Sequence, residues 1–120
     1  MTEITDLKIE NKKGYLWVSF PNSIGRENIL PIQNSIEAVL TDESAHVALD
    51  FSNIDIAGSI VIDLIMLIRK ILSKSKGFLC LVNVSKTCLK QFQTMNLDKV
   101  VTIYESEDEI KPENNDINNS

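Results

Sequence analysis

The chain has 120 residues, a formal net charge of −5 and 43% hydrophobic residues, which is typical of one small globular domain. Its basic residues are scattered, so the broad basic face through which proteins bind nucleic acid directly is not expected. The longest apolar stretch, residues 60–72, is too short and too charged to insert into a membrane, and no signal peptide is visible. We therefore expect a cytoplasmic protein.

The first half of the chain predicts strands and helices in alternation. Residues 7–10 and 15–20 have strand periodicity on either side of a turn, which predicts a hairpin at one edge of a sheet. Apolar residues then recur at helical spacing over 26–40, and Pro31 marks the expected start of that helix. The short apolar run 47–51 predicts a buried central strand.

The second half continues the same alternation. It predicts helices over 60–75 and 85–95, strands over 78–83 and 100–104, and a last helical turn over 106–110. This order predicts an α/β fold with a mixed sheet of about five strands and about four helices. One domain is expected over residues 1–110, and the polar residues 111–120 are expected to form a disordered tail.

Four segments resemble the STAS family of anti-sigma factor antagonists. They are Val47-Ala48-Leu49-Asp50-Phe51-Ser52-Asn53-Ile54-Asp55-Ile56-Ala57-Gly58-Ser59, Lys76-Gly77-Phe78-Leu79-Cys80-Leu81-Val82-Asn83-Val84-Ser85, Met95-Asn96-Leu97-Asp98-Lys99-Val100 and Ile103-Tyr104-Glu105-Ser106-Glu107-Asp108-Glu109. The resemblance covers roughly residues 6–110, and the four segments in this order form a specific signal together. It implies a STAS-type fold and a regulator that binds an anti-sigma factor or other switch serine kinase, without catalysis of its own.

The phosphorylation motif of that family is altered in this sequence. The family's Asp-Ser-Ser-Gly aligns with Gly58-Ser59-Ile60-Val61, so Ile60 stands at the usual phosphate acceptor. Ser59 is the serine that remains. One interpretation makes Ser59 the N-cap of the following helix, a position that favours serine. The alternative is that phosphorylation has moved to Ser59, where a phosphate would repel a partner.

The resemblance also places a partner-binding surface on two segments. These comprise the loop residues Asn22, Ser23, Ile24 and Gly25, and, around the helix start, Ala57, Gly58, Ser59, Ile60, Ile62 and Met66. By their residue types alone, the first four are turn formers.

The helix over 60–75 is unusually apolar around its circumference. Helical spacing predicts that a stripe faces the sheet, formed by Ile60, Leu64, Leu67, Ile68, Ile71 and Leu72. Four further apolar residues are then left over: Val61, Ile62, Ile65 and Met66. Either neighbouring helices cover them, or they form a patch for a partner or for self-association. A monomer or weak homodimer is expected.

No catalytic, cofactor or metal site is predicted. His46 is the only histidine and has no metal-ligand spacing, and Cys80 is expected in the core. Asp50 is expected to end its strand or cap local backbone. Two alternatives to the antagonist remain: a constitutive STAS scaffold or transporter-associated subunit, and a small α/β enzyme that uses Cys80 or Cys88 as a phosphoryl acceptor.

Overall fold

The computed structural model describes residues 7–22, 24–40, 46–74 and 77–110. Its elements in chain order are β1 (Lys8–Lys12), β2 (Tyr15–Ser19), α1 (Ile29–Val39), β3 (His46–Asp50), α2 (Ser59–Ser73), β4 (Phe78–Val82), α3 (Lys86–Thr94), a 3-10 helix (Leu97–Lys99), β5 (Thr102–Ile103) and a second 3-10 helix (Glu107–Glu109). The predicted disordered tail over 111–120 lies outside the described residues.

The five strands form one mixed sheet in the spatial order β1-β2-β3-β4-β5. β1 pairs with β2 antiparallel, and each later pair is parallel. The prediction of an α/β fold with a mixed five-stranded sheet is confirmed, with three α-helices and a 3-10 helix where a last helical turn was expected. β3 is the central strand, as its apolar run predicted.

The edge hairpin turns through two residues. Lys12 pairs with Tyr15, and between them Lys13 and Gly14 have φ angles of 57° and 83°. Two positive φ values in a two-residue connection match a type I′ turn, whose twist suits antiparallel strands.

All three α-helices pack on one face of the sheet. Val18, Leu49 and Leu81 project from neighbouring strands into the main core, where they meet residues such as Ile36 of α1 and Phe92 of α3. All five are completely or almost completely buried. The helices cover this face of β2, β3 and β4, which is why these strands carry apolar residues on it.

The opposite face of the sheet carries a smaller cluster that includes Trp17, Cys80 and Ile110. The C-terminal segment over 105–110 reaches this face and is fixed there by Glu107. The backbone N–H of Glu107 donates to Asn83 Oδ1 at 3.1 Å, and its carboxylate pairs with Lys12 Nζ at 3.1 Å. The C-terminal segment therefore serves as a cover in place of a fourth α-helix.

α1 begins two residues earlier than predicted. Its first residue is Ile29, so Pro31 lies inside the first turn. Backbone N–H groups in a first helical turn have no partner within the helix, so the proline removes no hydrogen bond there.

The predicted inward stripe of α2 was right at Leu64, Ile68 and Leu72, which are buried, but its edge was misplaced. Val61 and Ile65, expected on the remaining surface, are buried in the main core, and Ile60 and Leu67 are only half-buried. The buried set Val61, Leu64, Ile65, Ile68 and Leu72 has the i, i+3, i+4, i+7 spacing of a helical face.

β5 is shorter than predicted because its first residues belong to the preceding turn. The N–H groups of Val100 and Val101 both donate to the carbonyl of Leu97, at 3.0 Å each. Only Thr102 and Ile103 are left to pair with β4.

Candidate functional site

Two loops meet at the edge where the parallel strands β2 and β3 end. The β2–α1 loop spans residues 20–28, and the β3–α2 loop spans residues 51–58. The side chain of Asn53 joins them, since its Nδ2 donates to the carbonyl of Phe20 at 3.0 Å. Ligands of open α/β sheets commonly bind at this edge.

A groove of about 370 Å³ lies between the two loops. Its lining is mixed apolar and polar, and consists of Asn22, Ile24, Asn53, Ile54, Asp55, Ile56, Gly58 and Val61. The structure thus brings the predicted loop residues Asn22 and Ile24 beside the predicted residue Gly58, although they are more than 30 positions apart in the sequence.

Ile56 is the most exposed large hydrophobic residue of the β3–α2 loop. Its side chain is 66% exposed, whereas Ile54, two residues earlier, is buried. Ile56 was not among the residues singled out from the sequence. The loop contains two isoleucines, Ile54 and Ile56, and the sequence alone does not indicate which of them is buried.

The other predicted binding residues differ in accessibility. Gly58 and Ser59 are exposed, Ile60 and Ile62 are half-buried, and Met66 is 40% exposed. In the other loop, Asn22 is exposed and Ile24 and Gly25 are half-buried. Ala57 is buried, so its side chain is not available to a partner. Ser23 lies outside the described residues.

The interpretation of Ser59 as an N-cap was wrong. Gly58 occupies the N-cap position, with extended backbone (φ −83°, ψ 177°), and its carbonyl accepts from the N–H of Ile62 at 3.1 Å. Ser59 is the first helical residue. Its hydroxyl makes no hydrogen bond with any residue in the described part of the chain, and the residue is exposed. Ser59 is therefore exposed at the start of the helix.

Asp50 confirms the prediction of a strand-ending residue that caps local backbone. Its carboxylate accepts hydrogen bonds from Trp17 Nε1 (2.9 Å), Asn83 Nδ2 (3.1 Å), the backbone N–H of Ser52 (2.9 Å) and the Ser52 hydroxyl. Burial alone would raise the pKa of this carboxyl group. The hydrogen bonds from Ser52, Trp17 and Asn83 outweigh burial and hold the pKa below its usual value.

Both cysteines are free thiols and completely buried. Burial raises the pKa of Cys80 to about 12, which disfavours the thiolate that a nucleophile needs. Cys88 Sγ lies 3.3 Å from the carbonyl oxygen of Asp55, packed beneath the β3–α2 loop. These positions give no support to the phosphoryl-acceptor alternative.

His46 has a packing role. Its ring contacts those of Tyr15 and Phe78, with centroid distances of 5.8 and 5.9 Å. Across the four described ranges, no three His, Cys, Asp or Glu side chains are placed to hold a metal ion. Within the same ranges, no helix has the length and apolarity needed to cross a membrane.

A mixed five-stranded sheet covered by helices on one face, with two loops that form a groove where β2 and β3 end, defines a small α/β domain. The family model for the STAS domain matches residues 6–110, and the chain belongs to this family.

Two solved structures with this fold come from anti-sigma factor antagonists. The STAS domain protein of Planctomyces limnophilus is 20% identical, with a TM-score of 0.77 over 86% of this chain and 92% of that one. The antagonist from Mycobacterium paratuberculosis is 21% identical, with a TM-score of 0.75 over 88% and 89%. No curated protein matches the sequence. At these identities the likeness concerns the fold.

Proposed function

We propose that this protein regulates a switch serine kinase or other anti-sigma factor by binding it in the cytoplasm. The binding surface, called the loop surface below, consists of Asn22, Ile24, Gly25, Ile56, Gly58, Ser59, Ile60, Ile62 and Met66, with Ser23 included by its position in the sequence. Membership of the STAS family and the antagonist-like fold support the class of partner. The observation that carries the proposal is the exposed Ile56.

The chemistry of the loop surface suits a protein partner. Ile56 and Met66 offer apolar area, Asn22 lines the same groove as Ile56, and Ser59 is exposed on the same helix as Met66. An apolar centre with a polar rim is the usual arrangement of protein–protein interfaces. Transferring an isoleucine side chain from water into such a contact contributes about 1.5–3 kcal/mol.

The experiment is a binding assay with purified anti-sigma kinases from the source organism. Ile56→Asp places a charge in the centre of the proposed contact and disturbs little of the fold, because the side chain is already 66% exposed. The matched control is Val39→Asp. Val39 is 36% exposed and is the last residue of α1, ten residues or roughly 15 Å along that helix from Ile29, which directly follows the β2–α1 loop.

Control of binding by phosphorylation is proposed at Ser59. A phosphate there would add about −1.5 to −2 charges at pH 7 to the loop surface, next to apolar contacts. The partner kinase with ATP should therefore label Ser59, as mapped by mass spectrometry, and the labelled protein should bind at least about tenfold more weakly. Ser59→Ala should abolish the label, with Ser73→Ala as the matched control on the same helix.

A constitutive STAS scaffold is the second candidate, and the observation that favours it is Ile60 at the usual acceptor position. That role predicts that the kinase leaves Ser59 unlabelled while binding persists. If the kinase leaves Ser59 without phosphate, and its affinity for this protein is the same before and after incubation with ATP, control by phosphorylation is contradicted. The proposal that the two proteins bind is then unaffected.

A further inference from the structure

The side chain of Gln91 on α3 holds both backbone groups of one residue in the β3–α2 loop. Gln91 Oε1 accepts from the N–H of Ala57 at 3.0 Å, and Gln91 Nε2 donates to the carbonyl of Ala57 at 2.9 Å. Ala57 is almost completely buried. The N–H and carbonyl of Ala57 belong to no strand or helix, so the side-chain amide of Gln91 supplies the hydrogen bonds that these buried groups need.

The first turn of α3 holds the same loop at a second point. Ser85 Oγ donates to the carbonyl of Asp55 at 3.0 Å and accepts from the N–H of Cys88 at 3.1 Å. Cys88 Sγ also approaches the Asp55 carbonyl, at 3.3 Å. The residues on both sides of Ile56 are therefore attached to α3, while the side chain of Ile56 itself remains in solvent.

We propose that Gln91 is a positioning residue that holds the β3–α2 loop in its binding conformation. The effect of Gln91 on binding rests on the proposed function. The structural half of the inference, that Gln91 orders the β3–α2 loop, can be tested without a partner. A loop that is already ordered loses less conformational entropy when it binds. Gln91 thus contributes to affinity through Ala57 and the loop, without touching the partner.

Amide hydrogen exchange of the free protein tests the structural half. Gln91→Met keeps the length of the side chain and removes both hydrogen bonds, and Gln93→Met is the matched control because Gln93 is exposed on the same helix. The Ala57 amide should exchange at least about tenfold faster in Gln91→Met and be unchanged in Gln93→Met. Core amides of Leu49 and Leu81 report global unfolding and should remain protected.

Unchanged protection of Ala57 in Gln91→Met would overturn the proposal. If the core amides also lose protection, the second variant, Gln91→Glu, decides. A protonated carboxyl group can accept from the Ala57 N–H and donate to its carbonyl. A carboxylate cannot donate, so it repels the carbonyl oxygen of Ala57 and loosens the loop, which exposes the Ala57 N–H to exchange. Protection of Ala57 in Gln91→Glu, relative to wild type at each pH, should therefore fall as pH rises through the carboxyl pKa, which is about 4.3 in a model peptide.

A purely space-filling role for Gln91 predicts no such pH dependence, and its absence would count against positioning. With the kinase partner at neutral pH, Gln91→Met and Gln91→Glu should each bind about tenfold more weakly than wild type. If wild type binds no partner, the proposed function fails while the exchange result still stands. If wild type binds and both variants bind equally well, the positioning role fails alone.

Discussion

Asp50 shows how one carboxylate organises the end of the sheet next to the candidate site. It accepts hydrogen bonds from Trp17 of β2, from Asn83 directly after β4, and from Ser52 in its own following loop. If the carboxylate were removed, each of these donors would lose a hydrogen bond, although Asn83 Nδ2 would keep a second acceptor in Ser52 Oγ at 3.4 Å. Hydrogen bonds to charged groups are stronger than those between neutral groups. The bonds to Asp50 therefore contribute more to the free energy of unfolding than the same number of neutral hydrogen bonds would.

Asp50→Asn should lower the free energy of unfolding by about 1–3 kcal/mol at pH 7. The amide replaces one acceptor oxygen with a donor, which leaves either Trp17 Nε1 or a Ser52 group without an acceptor. The measurement is urea denaturation, with Asp98→Asn as the control because Asp98 is exposed.

The same comparison has a defined pH dependence. The pKa of Asp50 is lowered in the folded protein, so its stabilisation is fully present above the unfolded carboxyl pKa of about 3.9. It is lost as pH falls through the lower folded pKa. The difference between wild type and Asp50→Asn should therefore shrink below about pH 4, and an equal difference at pH 7 and pH 3 would contradict this account.

At the scale of single residues, the sequence predicted the role of a side chain best where that role depends on the adjacent stretch of chain. Asp50 in the short apolar run 47–51 indicated a strand end or a local cap, and Cys80 in an apolar strand indicated a core position; both are confirmed. Ser59 was misassigned because the extended conformation of Gly58 starts the helix one residue earlier. The exposure of Ile56 depends on where the loop bends, which composition does not specify.

At the scale of elements, α2 shows why an apolar helix is difficult to orient from its sequence. Nearly all residues from Ile60 to Met66 are apolar, so two phases of the helical pattern fit almost equally well. Packing against the sheet and α1 selects the phase with Ile65 inward, while Met66 remains 40% exposed.

Paired alanine substitutions on α2 test this phase. Ile65→Ala should cost about 2–5 kcal/mol of unfolding free energy, because it leaves a cavity in the main core. Met66→Ala should cost less than about 1 kcal/mol. Thermal and urea denaturation measure both. Equal costs, or the reverse order, would contradict the observed orientation of the helix.

At the scale of the whole molecule, the order of strands and helices was predictable while the contacts between loops were not. Alternating periodicities predicted an edge hairpin and an α/β sheet, since each element carries its own pattern. The joins that build the candidate site, Asn53 to Phe20 and Gln91 to Ala57, link residues 33 and 34 positions apart. Those contacts depend on how the elements pack, as does the C-terminal cover over the second sheet face.

The central claim is that this STAS domain binds a protein partner through its loop surface. Calorimetric titration of an anti-sigma kinase with wild type, Ile56→Asp and Val39→Asp tests it most directly. We expect Ile56→Asp to bind at least about 30-fold more weakly, as for a central interface residue, and Val39→Asp to stay within about threefold of wild type. Wild-type affinity in a folded Ile56→Asp, or an equal loss in both variants, would contradict the claim.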